Sequence, residues 1–477
     1  MRRIALALGL LALVAGVAAW RLVDIKPNPN DQARADGCQR NTTSIYTGLA
    51  PNWVYVNDKD YPKSGPPPGP RWAEGIVSSK DQPALASRVS NRDDPITHRA
   101  YDNNIDLKVT SADDFLTGTS RDATDAAGTI HMERELGATY PFWAWPAPGD
   151  HVKTLGSWVW DCDHYQGEGE ETEFHPFRAI WSDRGISPHS RTGENEGDLY
   201  VSTDATPAGV QAECAHYTKG AGTFKDCTHT RPEWLSVNGD YAFTLCAHAP
   251  QQGTLAWRVV DRGSVNAPPV TVAAGTPGCV NVSFTVAAPD DQRVIVAKQV
   301  FVGWSAAKPL THLRVHFDSV FIRRAMDPSA PLETTLGGQE AAPPGEWQIT
   351  WSVAGIWGAW PGTLLAKDGS VFKGKQRVDF YVPAKTPWTL VAEGRECDFG
   401  AIPNFDGPGH VLQPCPKTNE VGNAYGDDYG GSVIARFASA AKSVGTHATD
   451  AGLADSTCPP ANRHGCYQLR YTVSVVR

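Results

Sequence analysis

The sequence is poor in the features that would make it helical, nucleic-acid-binding or a familiar nucleophilic hydrolase. Of its 477 residues only 3 are Met, against 45 Gly and 36 Pro. That balance disfavours long helices and favours strands joined by many turns. No cluster of Lys and Arg interrupts a chain of formal net charge −9, so a surface that tracks nucleic-acid phosphates is not expected. No two cysteines have C-x-x-C spacing, which removes a thioredoxin-like motif and a zinc ribbon. G-x-S-x-G is absent as well. Ser305-Ala306-Ala307-Lys308 and Ser439-Ala440-Ala441-Lys442 match S-x-x-K without the companion motifs that a serine nucleophile of that class needs. There is no solenoid-type repeat, and after the leader a short stretch near Arg436–Ser443 is the one helical candidate.

What is present points to a mainly β protein. Hydrophobic residues make up 41% and charged residues 20%, enough apolar material for packed cores and too little charge for a disordered chain. A chain of this length exceeds one ordinary core, so several domains are expected. The expected plan is two or three β-sandwich-like domains behind an N-terminal signal or anchor. Residues 1–19 form the leader and 20–36 a polar, Pro-bearing linker. Residues 37–230 form a β-rich region, 231–340 a sandwich, and 346–477 a C-terminal sandwich. The Gly/Pro-rich run from Gly337 to Gly345 suggests the boundary near 340. Alternation in Glu346–Trp351 and Tyr467–Val476 predicts strands, which would pair as the first and last of one sandwich. Trp158, Trp160, Trp257, Trp347 and Trp351 lie in strand-like runs and are expected in cores.

Met1-Arg2-Arg3 followed by an apolar run from Ile4 to Trp20 reads as an export leader, with Val17-Ala18-Ala19 matching a signal-peptidase site. The run is also long enough to remain as an uncleaved anchor. The protein is therefore expected outside the cytoplasm: periplasmic, secreted or membrane-anchored, touching the membrane through its N-terminal segment alone. Ten cysteines fit that oxidising setting. Cys458 with Cys466 and Cys397 with Cys415 bracket short Pro/Gly-rich loops and are expected pairs, while Cys214, Cys227, Cys246 and Cys279 fall in one region.

The densest chemistry lies in Trp158-Val159-Trp160-Asp161-Cys162-Asp163-His164 and Thr172-Glu173-Phe174-His175-Pro176-Phe177-Arg178, with a Gly/Glu loop between them. A hairpin centred near 165–172 would bring the two runs side by side. Residues two apart share a strand face, so Glu173 is expected beside His175, and His131 beside Glu133 in Ile130–Glu135. Asp161 and His164 have opposite parity, so a bulge or strand end is needed to bring both in. The expected ligand set is His131, Glu133, Asp161, His164, Glu173 and His175, with Glu173 and Asp161 as candidate catalytic carboxylates. Imidazole with carboxylate suits a divalent metal ion such as zinc, iron or manganese, and carboxylate without sulfur also suits calcium. Such a site would support metal-assisted or acid–base hydrolysis of an extracellular or envelope substrate. The competing reading is a hydrogen-bonded hairpin in which Glu173 or Asp161 pairs with Arg178 and the histidines are structural, in a non-catalytic surface or periplasmic binding protein.

The segment W-V-x-D-x-x-H, here Trp158 to His164, followed by E-[ILF]-H-P, here Glu173 to Pro176, resembles a group of uncharacterised exported bacterial proteins. The resemblance covers residues 128–185 and implies no established activity. A second acidic group, Glu396 and Asp398 with Asp427 and Asp428, offers oxygen ligands for calcium, although Asp and Gly in adjacent turns serve equally as turn formers. His312, Arg314, His316 and Asp318 alternate with apolar residues as a half-buried strand with a wet outer face would.

Export is testable by fractionation with N-terminal mass spectrometry. The chain is expected outside the cytoplasm, either cut after Ala19 or retained on its leader, and a soluble cytoplasmic chain still carrying Met1 would contradict this reading.

Overall fold

The computed structural model describes residues 53–55, 70–78, 87–90, 102–117, 129–135, 140–161, 171–204, 236–289, 292–325, 345–362, 364–396, 428–452 and 466–477. The expected leader, the linker, His164 and the loop at 162–170 lie outside them. The first strands are β1 (Trp53–Tyr55), β2 (Pro70–Val77), β3 (Ser87–Ser90), β4 (Asp102–Val109), β5 (Thr129–Glu135), β6 (His151–Asp161), β7 (Glu171–Ile186) and β8 (Asn195–Ser202). Then come β9 (Gly239–Cys246), β10 (Leu255–Asp261), β11 (Thr271–Ala274), β12 (Cys279–Val286), β13 (Ile295–Trp304) and β14 (Thr311–Ile322). The last are β15 (Gly345–Val353), β16 (Ile356–Ala359), β17 (Leu364–Ala366), β18 (Val371–Lys373), β19 (Arg377–Val382), β20 (Trp388–Glu396), β21 (Asp428–Phe437), the short helix α1 (Ala440–Ser443), β22 (Gly445–Asp450) and β23 (Tyr467–Val475). The mainly β expectation holds, and α1 falls in the expected helical stretch.

The largest sheet closes on itself. β6 pairs with β2, β2 with β4, β4 with β5, and β5 with β7, which returns to β6. Four of these five pairings are antiparallel; β5–β7 is parallel and joins His131 to Glu173 and Met132 to Phe174. Period-two alternation sends Ile105, Leu107, Ile130, Met132, Val152, Trp158, Phe174 and Phe177 into one buried cluster within this circuit. Gly156 faces Phe174 there: a Cβ at 156 would come within 2.5 Å of the Phe174 side chain, so the ring takes the space that a side chain would fill. Along one edge of β7 the lower half meets β5 and the upper half meets β8, from which β13 and β10 extend the sheet.

A three-stranded sheet, β11-β12-β9, covers the opposite face of the upper strands. Its Tyr241, Phe243, Leu245, Val280 and Val282 pack on Leu155, Ala179, Trp181 and Leu199, with Trp181 stacked on Phe243 at 5.0 Å. Cys246 and Cys279 are direct cross-strand partners on β9 and β12 and form a disulfide. Cys466 is also disulfide-bonded; Cys458, Cys397 and Cys415 lie outside the described residues.

The C-terminal sandwich crosses the expected boundary at 340. Its two sheets are β18-β14-β23-β22, with β19 also on β14, and β16-β15-β20-β21, with β17 also on β15. β14, which the sequence placed before the boundary, pairs with the final strand β23, while β15 lies in the facing sheet. The expected first-to-last pairing is thus replaced by a pairing of the last strand with β14. Leu313, Val315 and Phe317 of β14 face inward with Trp347, Ile349 and Trp351, while His312, Arg314 and His316 alternate with them on the outer side. Similarly β13 joins β8 across the expected boundary at 230. Trp158, Trp347 and Trp351 are buried as expected, whereas Trp257 is 40% exposed because β10 is the last strand of its sheet.

Sandwich and circuit share apolar packing and a buried charge cluster. Trp357 and Val391 enter the core of the circuit, and the Trp357 indole donates to Pro146 O at 3.1 Å. Arg184, at the end of β7, donates to Gly355 O of the β15–β16 turn at 2.9 Å, to Trp143 O at 3.2 Å, to Trp145 O and to Asp198. Asp150 lies 3.7 Å from the same guanidinium, and Gln299 donates to both Glu196, at 2.5 Å, and Asp198, at 2.8 Å. Three buried carboxyl groups thus surround one guanidinium. Burial pushes Asp150 up to about 7 despite Arg184, and burial together with the neighbouring Glu196 pushes Asp198 up to about 7.

Unfolded, these carboxyls titrate near about pH 4. Between about pH 4 and 7 the folded protein therefore holds protons that the unfolded chain has released, and this contribution to stability is lost as pH rises through about 7. Calorimetry of wild type and Asp150→Asn at about pH 5.5 and 8 is expected to show a smaller loss of melting temperature at the higher pH in the variant. An equal or larger loss in Asp150→Asn would exclude the assignment.

Candidate metal centre

The parallel β5–β7 contact brings the strongest expected ligands together. His131 is in register with Glu173 across that contact, and Glu133 follows two residues along β5 on the same face. Their neighbours Met132 and Phe174 take the alternate positions and enter the core. His131, Glu133 and Glu173 each offer one ligand atom, all lying within 4.8 Å of one another. The His131 Nε2–Glu133 Oε1 separation is 2.9 Å, close to the ~3 Å between adjacent ligands around a cation with bonds of about 2.0–2.2 Å. The Glu133 and Glu173 side chains are each 1% exposed. Carboxylates held at that depth are stabilised by cations and directed hydrogen bonds.

The sequence pattern did not mark Asp106. It stands directly opposite His131 in the β4–β5 register, and its Oδ1 lies 2.7 Å from His131 Nδ1. A carboxylate at Nδ1 fixes the plane of the ring and, in the neutral imidazole, holds the proton on that nitrogen so that the Nε2 lone pair is presented to Glu133 and Glu173. In the imidazolium form the same ring donates to both Asp106 and Glu133. The arrangement therefore holds a proton or an ion at one place, between Nε2 and the two glutamates. The signal available was the polar parity of Asp106 between Ile105 and Leu107; what it lacked was the pairing of β4 with β5.

Of the other expected ligands only backbone positions are described. The β6–β7 hairpin forms as expected, and Asp161 is paired with Glu171, two residues along from the Val159–Glu173 pair, which keeps Asp161 near the cluster by register. The side chain of Asp161 is not among those described, and His164 lies outside the described residues. His175 is a backbone member of β7 whose side chain is likewise not among those described. The expectation that it shares a face with Glu173 by simple alternation meets a register shift: from Gly156 to Trp158 on β6, the partner moves from Phe177 to Phe174 on β7. The extra residue falls at His175-Pro176, where Pro176 lacks an N–H for the ladder and favours bulges. Arg178, expected to compete for Glu173 or Asp161, donates to Ser157 Oγ at 2.8 Å and to Ser236 O at 2.8 Å. Of the second acidic group, Glu396 is paired with Asp428 at the end of β20–β21, while Asp398 and Asp427 lie outside the described residues.

No family model and no curated protein matches the chain. Among solved structures, one titled "Structure of a C2 domain" is 14% identical over 35% of this chain and 99% of its own, with a TM-score of 0.18. The human GIVD cytosolic phospholipase A2 is 9% identical over 85% of this chain and 32% of its own, with a TM-score of 0.17. The two calcium-bound C2 domains of extended synaptotagmin 2 are 8% identical over 86% of this chain and 98% of their own, with a TM-score of 0.17. Likeness at this level bears neither on the fold nor on the chemistry of the chain. No helix among the described residues is long and apolar enough to cross a membrane.

Asp106→Asn keeps the side-chain size and removes the charge at Nδ1. It is expected to weaken zinc or manganese binding by roughly 10–100-fold, read by competition against a chromogenic chelator, while leaving the metal-free melting temperature within about 2 °C. Unchanged affinity would remove Asp106 from the site.

Proposed function

We propose that this is an exported β protein that binds one divalent transition-metal ion through His131, Glu133 and Glu173 and uses it to hydrolyse an extracellular or envelope substrate. The observation that carries the reading is the convergence of three ligand atoms from two strands within 4.8 Å, with a carboxylate already at the far nitrogen of the imidazole. An imidazole and two carboxylates favour zinc, manganese or iron over calcium, which prefers oxygen ligands throughout. When bound, such an ion polarises a substrate oxygen and lowers the pKa of a water molecule. The chain's own part is to hold three donors in place, leave further coordination positions to water or substrate, and keep His131 oriented through Asp106. Asp161 is the candidate base for this reaction, supported by its register beside Glu171. Export is supported by the leader and by the Cys246–Cys279 disulfide, which suits an oxidising compartment.

A non-catalytic alternative is favoured by one observation, the 1% exposure of both glutamates. In that reading the ion staples β5 to β7 in a surface or periplasmic binding protein. The resemblance of residues 128–185 to uncharacterised exported proteins fits either use of the site.

Metal analysis of purified protein by plasma mass spectrometry is expected to find about one zinc, manganese or iron per chain, lost in Glu173→Gln and in His131→Ala. Release of acid from ester and phosphoester substrates should then follow metal content, and Asp161→Asn should slow turnover at least tenfold with the metal retained. Protein that stays metal-free after incubation with each ion would sink the proposal, and bound metal without turnover would select the stapling role.

A further inference from the structure

A cavity of about 650 Å³ opens where the end of β7 meets the turns of the C-terminal sandwich, well away from His131 in the fold. Its size lies within the ~300–1,000 Å³ typical of small-molecule sites. Ile186, Pro188, Trp357, Pro387 and Val391 supply apolar wall. One wall is the β15–β16 turn, in which Ala354 has φ 51° and Gly355 φ 85°. A non-glycine residue in that region is strained, and the turn is held by the Arg184 bond to Gly355 O. The wall is therefore fixed before any ligand arrives.

The charged groups of the lining divide into engaged and unengaged. Asp150 accepts the Ala147 N–H at 2.7 Å and faces Arg184, while Arg184 spends its donors on Asp198 and three backbone carbonyls. Arg436, on β21 opposite Thr389, is exposed and has no ion-pair partner among the described residues. Trp388, another lining residue, carries a buried indole N–H with no acceptor among the described residues. Exposed His248 reaches the same cavity from the end of β9. Each of the unengaged groups thus offers a donor, and one of them is a fixed cation, on a chain whose net charge is −9. General electrostatics would not attract an anion to this protein, so attraction must be local.

We propose that this cavity binds an apolar small molecule bearing a carboxylate, with the acid group on Arg436 and the apolar body against Trp357 and the proline-lined wall. The guanidinium gives a planar, paired-donor match to a carboxylate at the mouth, and burial of the apolar body supplies the remaining affinity. The site is independent of the proposed ion, so chelation leaves it intact. Aliphatic and aromatic acids share this chemistry, and separate probes tell them apart.

Isothermal titration of the purified protein with octanoate, 2-naphthoate and octan-1-ol tests the assignment. One acid is expected to bind once per chain and at least tenfold tighter than the alcohol. A stronger octanoate assigns the site to acyl chains, and a stronger naphthoate to flat aromatic acids. Arg436→Gln, at an exposed position, should erase the preference for acid over alcohol, whereas Thr386→Trp at the mouth should weaken acid and alcohol alike. Equal binding of acid and alcohol by wild type, an acid preference that survives Arg436→Gln, or no binding of any of the three probes overturns the proposal.

Discussion

The parallel contact between β5 and β7 is short, with His131 opposite Glu173 and Met132 opposite Phe174, and the strand circuit depends on it. Without it β6, β2, β4, β5 and β7 would form an open sheet with unpaired backbone groups along β5 and the lower half of β7. On the inner side of the contact Met132 and Phe174 are fully buried; on the other side stands the His131–Glu133–Glu173 cluster. One seam therefore carries an apolar lock on one face and a polar site on the other. A two-pair ladder contributes few hydrogen bonds, so the side chains on both faces hold the strands together, and anything that cross-links His131 and Glu133 to Glu173 also strengthens the fold.

Arg184 has the same dual role at the other end of β7. Its guanidinium ties the 142–145 turn, Asp198 of β8 and Gly355 of the sandwich into one buried network. Replacing a buried ion pair with apolar groups is often neutral for stability, so what this network visibly contributes is the set of directed bonds that joins three elements. Those bonds hold the angle at which the β15–β16 turn meets β7, which shapes the cavity between them. The two proposed sites thus lie at the two ends of one 16-residue strand, and each sits where a second structural unit is fastened to it.

Alternation made much of this legible. The period-two pattern of Leu313–Phe317 and Tyr467–Val475 marked strands and their buried faces, and of the pairs His131/Glu133 and Glu173/His175 the residues His131, Glu133 and Glu173 do come together. Partner choice was not legible, because a strand's own residues do not say which edge it will meet. Asp106 escaped notice for that reason, since it becomes relevant through the β4–β5 register alone. Composition suggested a boundary at 340, yet β14 completes a sheet with β23 because its apolar face matches Leu469, Tyr471 and Val473. Arg184, Glu196 and Asp198 carry no motif to mark them, and they become neighbours through the β7–β8 register, which pairs Ser182 with Asp198 and Asp183 with Gly197.

The β14–β23 pairing also bears on how the molecule comes into being. The hydrogen bond from Thr472 to Asp318 joins residues 154 positions apart, and β23 supplies Tyr467, Leu469 and Tyr471 to the sandwich core. Everything from β14 onward must wait for β23 to leave the ribosome before that core closes, and such a long-range contact forms slowly because a large loop has to be gathered first. The order of synthesis thus runs against the order of packing: β14 is made long before the strand that completes its sheet.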